Sequence, residues 1–146
     1  MRAPEVSLAR RDFRGRTVVI TGGAGGIGRA LARAFGKTGA KIVLVDLPAS
    51  PLEEARSELE ALGVRALALP CDITDVEQVR ATMNQALADF GSIDVLINNA
   101  GIVHRSAFAE TRAEVFRRVM EVNLFGAIHC TQACLSDLVA ARGLII

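Results

Sequence analysis

Residues 18–33 read VVITGGAGGIGRALAR, with five glycines packed into the seven positions from 22 to 28. The apolar run Val18, Val19 and Ile20 before them has the length and branching of a strand. The segment after them carries Ile27, Leu31, Ala34 and Phe35 at helical spacing and reads as a helix with one apolar side. The expected local order is strand, glycine turn, helix. A helix that begins directly after such a turn points its free N–H groups into it. Glycine, having no side chain, lets an anion approach that backbone.

The same alternation runs through the rest of the chain. KIVLVD (41–46), VRALALP (64–70) and IDVLIN (93–98) read as three further strands. Between them, Ser50-Pro51-x-Glu53 and Thr74-x-x-Glu77 have the form of capped helix starts, and Gly39, Gly63 and Gly91 are the expected stops. Thr111-x-x-Glu114 opens a long helix expected to run to about Arg142, where Gly143 would end it. Leu144-Ile145-Ile146 resembles a fifth strand that has barely started. Short apolar strands separated by helices imply a parallel sheet covered on both faces and joined by right-handed crossovers.

Composition bounds the function. The chain has 146 residues, is 51% apolar and carries a formal charge of +1. That balance argues against a disordered or nucleic-acid-binding protein. No apolar run approaches the ~18 residues of a membrane span. Cys71, Cys130 and Cys134 form no disulfide framework, and a reducing cytoplasm is the expected compartment. The first fourteen residues, MRAPEVSLARRDFR, hold four arginines and no apolar signal core. Residues 1–14 are therefore expected to be a flexible extension, and 15–146 the N-terminal part of a dinucleotide-binding domain.

Two phosphate-binding readings compete for the glycine turn. A nucleoside-triphosphate loop laid over Gly23 to Gly28 would be followed by Arg29 and Ala30, which supply neither the phosphate-binding Lys nor a magnesium-binding hydroxyl. That reading fails. Gly23-x-Gly25-x-x-Gly28 matches the general Rossmann dinucleotide fingerprint, and Thr21-Gly22-xxx-Gly26-x-Gly28 matches a longer-looped variant. Asp46 lies 18 residues after Gly28 at the end of the second strand, where an acidic residue would accept from the adenosine ribose. A carboxylate there repels a 2′-phosphate, which favours NAD over NADP.

Three further pieces narrow the family: Asn98-Asn99-Ala100-Gly101 after the fourth strand, Cys71-Asp72-Ile73 after the third, and Asn123 within MEVNLFG. With the spaced glycines, the chain resembles the short-chain dehydrogenase/reductase family from about residue 13 to 146. The resemblance implies an α/β fold, a Rossmann-type doubly wound parallel sheet, truncated after the fourth strand and the following long helix. It implies that Gly22, Gly26, Ile27 and Gly28 line the pyrophosphate, and that Asp46 and Leu47 line the adenosine ribose. Asp72 and Ile73 would flank the adenine, with Asn99, Ala100 and Gly101 along the nicotinamide ribose. Asn98 would mainly brace the central strands. Asn123 would bend its helix and position a water in the catalytic proton relay.

The implied activity is hydride transfer between NAD(P) and a small alcohol or carbonyl. The same family uses a Tyr, a Lys four residues later and a Ser for the proton work. This chain has no Tyr, and its only lysines are 37 and 41. The 146 residues are accordingly expected to show no turnover, as the cofactor-binding part of an enzyme of ~250 residues. The alternative is a non-catalytic protein that binds a dinucleotide or associates with a relative, and a decayed remnant is a third. The helix from 112 to 142 resembles one used for dimer contacts, so a homo-oligomer is expected through it, with no nucleic-acid or membrane partner. The fourth strand is expected to lack a neighbour, exposing a sheet edge. His104 reads as a solvated loop residue, and Arg117-Arg118 as solvated surface. His129, Cys130 and Cys134 lack the fourth ligand that a metal site needs.

Overall fold

The computed structural model describes residues 12–146. A five-stranded parallel sheet has the order β3-β2-β1-β4-β5, formed by β1 (Thr17–Thr21), β2 (Lys41–Asp46), β3 (Ala66–Pro70), β4 (Val95–Ile97) and β5 (Leu144–Ile145). The helices between them are α1 (Gly26–Gly36), α2 (Leu52–Ala61), α3 (Val76–Phe90), α4 (Ala113–Met120) and α5 (Ala127–Ala140). Alternate strand residues supply two cores. Val18, Ile20, Ile42 and Leu44 pack beneath α1 and α2, while Val19, Val43, Val45 and Leu96 pack beneath α3 and α5. All eight are fully buried, which is why these strands read as continuous apolar runs rather than as alternation.

Several sequence expectations are corrected. The fourth strand does have a neighbour: Val95 and Leu96 pair with Leu144 and Ile145. The sheet therefore extends past the fourth strand, and its edge on that side is the two-residue β5. The helix expected over 111–142 is broken. A 3₁₀ turn covers Phe108–Glu110, α4 begins at Ala113, and a π-helical segment, Glu121–Gly126, separates α4 from α5. Buried positions Val122, Gly126, Cys130, Cys134 and Leu138 recur every fourth residue. The Val122-to-Gly126 step lies in the wider π turn, and the later steps run along α5, each advancing ~40° on an α-helix of 3.6 residues per turn.

The expected caps also shift. Thr74 is taken by Asp72, whose Oδ1 accepts from the Thr74 N–H and hydroxyl, so Asp75 caps α3 by accepting from Glu77 and Gln78 N–H. Ser50 and Thr111 donate their hydroxyls backwards, to the carbonyls of Leu47 and Ala107, and cap nothing. After α5 the positive φ falls on Arg142 (48°), not on Gly143. Gly143 is needed for closeness, because a Cβ there would lie 2.3 Å from the Asp94 carbonyl oxygen. Phe13, counted with the extension in the sequence reading, packs edge-on against Phe35 at 4.9 Å between ring centroids. The remainder of that extension, residues 1–11, lies outside the described residues.

At the amino end of the sheet, Asp94 ties β1 to the segment entering β4. Its carboxylate accepts from Thr17 N–H (2.9 Å), Arg16 Nη1 (2.8 Å) and Ser92 Oγ (2.8 Å). Burial pushes this carboxyl up, but the bonds from Thr17, Arg16 and Ser92 outweigh burial and hold it below the ordinary carboxylate range. The folded state thus gains stability from the ionised form. That gain is complete above the unfolded value near ~3.9 and is lost as pH falls toward the lower folded value. Replacing Asp94→Ala is expected to cost about 3 kcal/mol at neutral pH, since it orphans the buried Thr17 N–H. Urea denaturation at pH 7 and at pH 3 should show the variant's deficit shrinking in acid.

Candidate cofactor cleft

All eleven residues that the family resemblance assigns to cofactor contacts line one cleft of ≈ 360 Å³ at the carboxyl ends of the strands. That volume falls within the roughly 300–1,000 Å³ of small-molecule sites. The position is where the strand order reverses, between β1 and β4, the place where open α/β sheets bind ligands.

The floor of the cleft is the glycine turn. Gly22 has φ +65°, and a Cβ there would meet Ala100 Cα at 2.9 Å. A Cβ on Gly28 would lie 2.2 Å from the Gly22 carbonyl oxygen. Packing alone therefore requires glycine at both positions. Gly26 differs: its backbone is ordinary, and a Cβ would meet nothing within 4 Å. It opens α1 after Gly25, which provides no side-chain cap, and the first turn carries no acidic residue. Arg29 is the first N–H of the helix with a backbone acceptor, bonding Gly25 O at 2.9 Å. The preceding N–H groups, with the helix dipole behind them, face the cleft. Ile27 beside them is 71% exposed.

Thr21 holds this turn to the loop after β4. Its hydroxyl donates to Ile97 O (3.3 Å) and accepts from the N–H groups of Asn99 (3.1 Å) and Ala100 (3.0 Å). Asn99 returns the contact, donating Nδ2 to Thr21 O (2.9 Å) and Gly22 O (3.2 Å). Asn98 bonds Ile146 O through its backbone N–H and Thr131 Oγ1 through its side chain. Gly101 lies close enough to the π segment that a Cβ would stand 3.3 Å from Asn123 Oδ1.

Asp46 accepts from Ala24 N–H (3.0 Å) with one oxygen and from Leu47 N–H (2.8 Å) with the other. Each oxygen retains acceptor capacity, since a carboxylate offers about four lone-pair sites. Asp72 binds Thr74 through Oδ1 alone, leaving Oδ2 for another donor. Ile73 lines the cleft with its side chain, and its carbonyl accepts from His129 Nδ1 at 3.0 Å. That bond places the His129 proton on Nδ1 and gives this histidine a bracing role. Burial pushes the thiols up to about 12 at Cys130 and about 11 at Cys134, so both are neutral. Among the described residues, no three His, Cys, Asp or Glu side chains group as metal ligands.

Asn123 lies in the π segment, behind the cleft lining. Its Oδ1 accepts from Ile102 N–H (2.8 Å) and its Nδ2 donates to Ile102 O (2.9 Å), so one amide holds both polar groups of one loop residue. Residues absent from the sequence assignment also line the cleft: Val45, Cys71, Ile102, Val122 and Arg118. Arg118, read as solvated surface, supplies the cleft's one cation among the described residues. Thr21 was visible as the first residue of the glycine motif, but its hydroxyl's work needed the fold.

The short chain dehydrogenase family model matches residues 16–146. The chain belongs to this family. It is 40% identical over 139 residues to dehydrogenase/reductase SDR family member 7B of Bos taurus, covering 91% of this chain and 43% of that protein. It is 41% identical over 130 residues to cis-4-hydroxycyclohexanecarboxylate dehydrogenase of Sinomonas cyclohexanicum, covering 88% of this chain and 52% of that protein. The chain thus spans about half the length of the curated relatives it matches. Among solved structures, NAD⁺-bound xylitol dehydrogenase superposes with a TM-score of 0.85 at 34% identity, covering 92% of this chain and 53% of that one. A short-chain dehydrogenase/reductase from Burkholderia phymatum in complex with NAD gives 0.87 at 30% identity, covering 92% and 49%. Members of this family therefore bind a nicotinamide cofactor. No helix among the described residues is long and apolar enough to cross a membrane.

Thr21→Val keeps the side-chain shape and removes the hydroxyl, leaving the Asn99 and Ala100 N–H groups without their acceptor. It should cost about 2 kcal/mol in urea denaturation, while Thr21→Ser should cost less than half of that.

Proposed function

We propose that this chain is the NAD-binding portion, residues 15–146, of an oxidoreductase that moves hydride between nicotinamide and a small alcohol or carbonyl. The observation carrying the reading is Gly26, where open space stands at the position a side chain would fill. The protein's own packing does not ask for glycine there, but a phosphate seated on the N-terminus of α1 would. NAD would lie with its pyrophosphate against Gly22, Gly26, Ile27 and Gly28. Its adenosine ribose would meet Asp46 and Leu47, and its adenine Asp72 and Ile73. The nicotinamide ribose would pass Asn99, Ala100 and Gly101. When bound, the nicotinamide supplies a hydride acceptor or donor.

Asn123 supports that end of the cleft as a positioning residue by fixing the loop at Ile102. A water held by Asn123 in a proton relay is part of the same reading. Hydride transfer also requires a proton donor at the substrate oxygen. This chain has no Tyr, and Lys41 opens β2 at the end of the sheet opposite the cleft, donating to Phe90 O. The 146 residues accordingly bind cofactor without turning over. The wider protein is read as cytoplasmic. Exposed Phe116, Met120, Leu124, Phe125, Leu135 and Val139 support self-association through 112–142.

Gly26→Ala separates binding from folding. The variant should melt at or above the wild-type temperature, because alanine is favoured over glycine in a helix by up to ~1 kcal/mol. Its NAD affinity by calorimetry should fall at least ~10-fold, the equivalent of about 1.4 kcal/mol. Unchanged affinity would contradict the phosphate site. In the same assay the wild-type chain should prefer NAD to NADP by at least ~10-fold, because Asp46 repels a 2′-phosphate. Equal affinities would remove Asp46 from the ribose.

A further inference from the structure

The glycine turn is held from outside the cleft as well as from within. Ala24, buried at its centre, has both polar atoms of its backbone engaged. Its N–H donates to Asp46 Oδ2 at 3.0 Å, and its carbonyl accepts from Arg29 Nε at 2.9 Å. Arg29 is in turn fixed by α2 and the residue before it: Nη1 donates to Glu54 (2.8 Å) and Glu58 (2.5 Å), and Nη2 to Pro51 O (3.4 Å). Arg33 adds a second bond to Glu58 at 3.3 Å. The guanidinium's side chain is 16% exposed, and two carboxylates flank it. Its charge is spent on them, so it does not act as a free cation for phosphate.

We infer that Arg29 is a positioning residue for the pyrophosphate. It clamps the Ala24 carbonyl to α2, so that the free N–H groups of the turn are aimed before ligand arrives. The physical need is specific to this loop. Gly22, Gly23, Gly25 and Gly26 bring no side chains to restrict their own backbone, and glycine loses the most freedom on ordering. A turn left loose would have to be ordered by each ligand, at the expense of affinity. The clamp also moves as one unit with the ribose side. Asp46 holds one end of the Ala24 residue, and α2, which follows the Asp46 loop, holds the other through Arg29. The ion cluster between α1 and α2 thus sets the spacing between the phosphate and ribose contacts.

This inference rests on the dinucleotide reading and is tested with it. NAD and adenosine binding would be measured by NMR titration for the wild type, Arg29→Gln, Arg29→Lys and Arg56→Gln. Arg56 is the control, because it pairs with Glu53 and Glu60 on α2 and touches no part of the turn. Arg29→Gln should weaken NAD about 10-fold, the loss expected for one charge-assisted hydrogen bond, and leave adenosine within about two-fold. Hydrogen exchange at the Ala24 amide should accelerate in step with the lost NAD affinity. Arg29→Lys should recover only part of the loss, since an ammonium lacks the planar fork that serves Ala24 and both glutamates together. Arg56→Gln should change neither readout. Parallel loss of NAD and adenosine binding, or unchanged Ala24 exchange, would reduce Arg29 to a general stabiliser and overturn its role. A wild-type chain that takes up no NAD would overturn the dinucleotide reading and this role together.

Discussion

Between Gly22 and Gly28 only Ala24 and Ile27 carry side chains, so the shape of this turn is imposed by its neighbours. Thr21 hangs it from the loop after β4, Asp46 takes the N–H of Ala24, Arg29 takes its carbonyl, and Asn99 donates to Gly22 O. Gly28 then lets α1 start within contact of the Gly22 carbonyl. The β1–α1 corner is tight because these bonds and that approach coincide. The adjacency of β1 with both β2 and β4 brings Asp46 and Asn99 to opposite sides of the same turn. The sheet order and the site are consequences of one another.

Much of this was legible in the residues. The strand runs were readable because a parallel sheet covered on both faces makes every strand position apolar, as in Ile42 to Val45. The glycine turn and Asp46 could be placed at the cleft because their spacing reports backbone geometry, whereas Asp72, Ile73 and Asn99 could be placed there only through the family resemblance. Local hydrogen-bond competition was not readable. Thr74-x-x-Glu77 has the form of a capping box, yet Asp72 two residues earlier captures Thr74, and Asp75 caps the helix instead. Periodicity likewise gave no sign of the break in the 111–142 helix, because apolar residues continue through it.

That break joins the far loop to the core. In the π segment, Val122 faces the core and lines the cleft, while Asn123 turns to grip Ile102. The loop carrying Ala100 and Gly101 is therefore tied twice, by Thr21 on one side and by Asn123 on the other. His129, in the first turn of α5, braces Ile73 at the opposite end of the cleft. The π segment and the first turn of α5 thus support both the expected nicotinamide side and the expected adenine side.

The most direct measurement is amide chemical-shift mapping of the ¹⁵N-labelled chain during an NAD titration. The account requires the largest shifts at Gly26, Ile27 and Gly28, with Leu47, Ile73 and Ala100 following at the same apparent affinity. Inorganic pyrophosphate should move only the first group. Shifts clustered elsewhere, or none at the start of α1, would contradict the claim that this turn is a dinucleotide phosphate site.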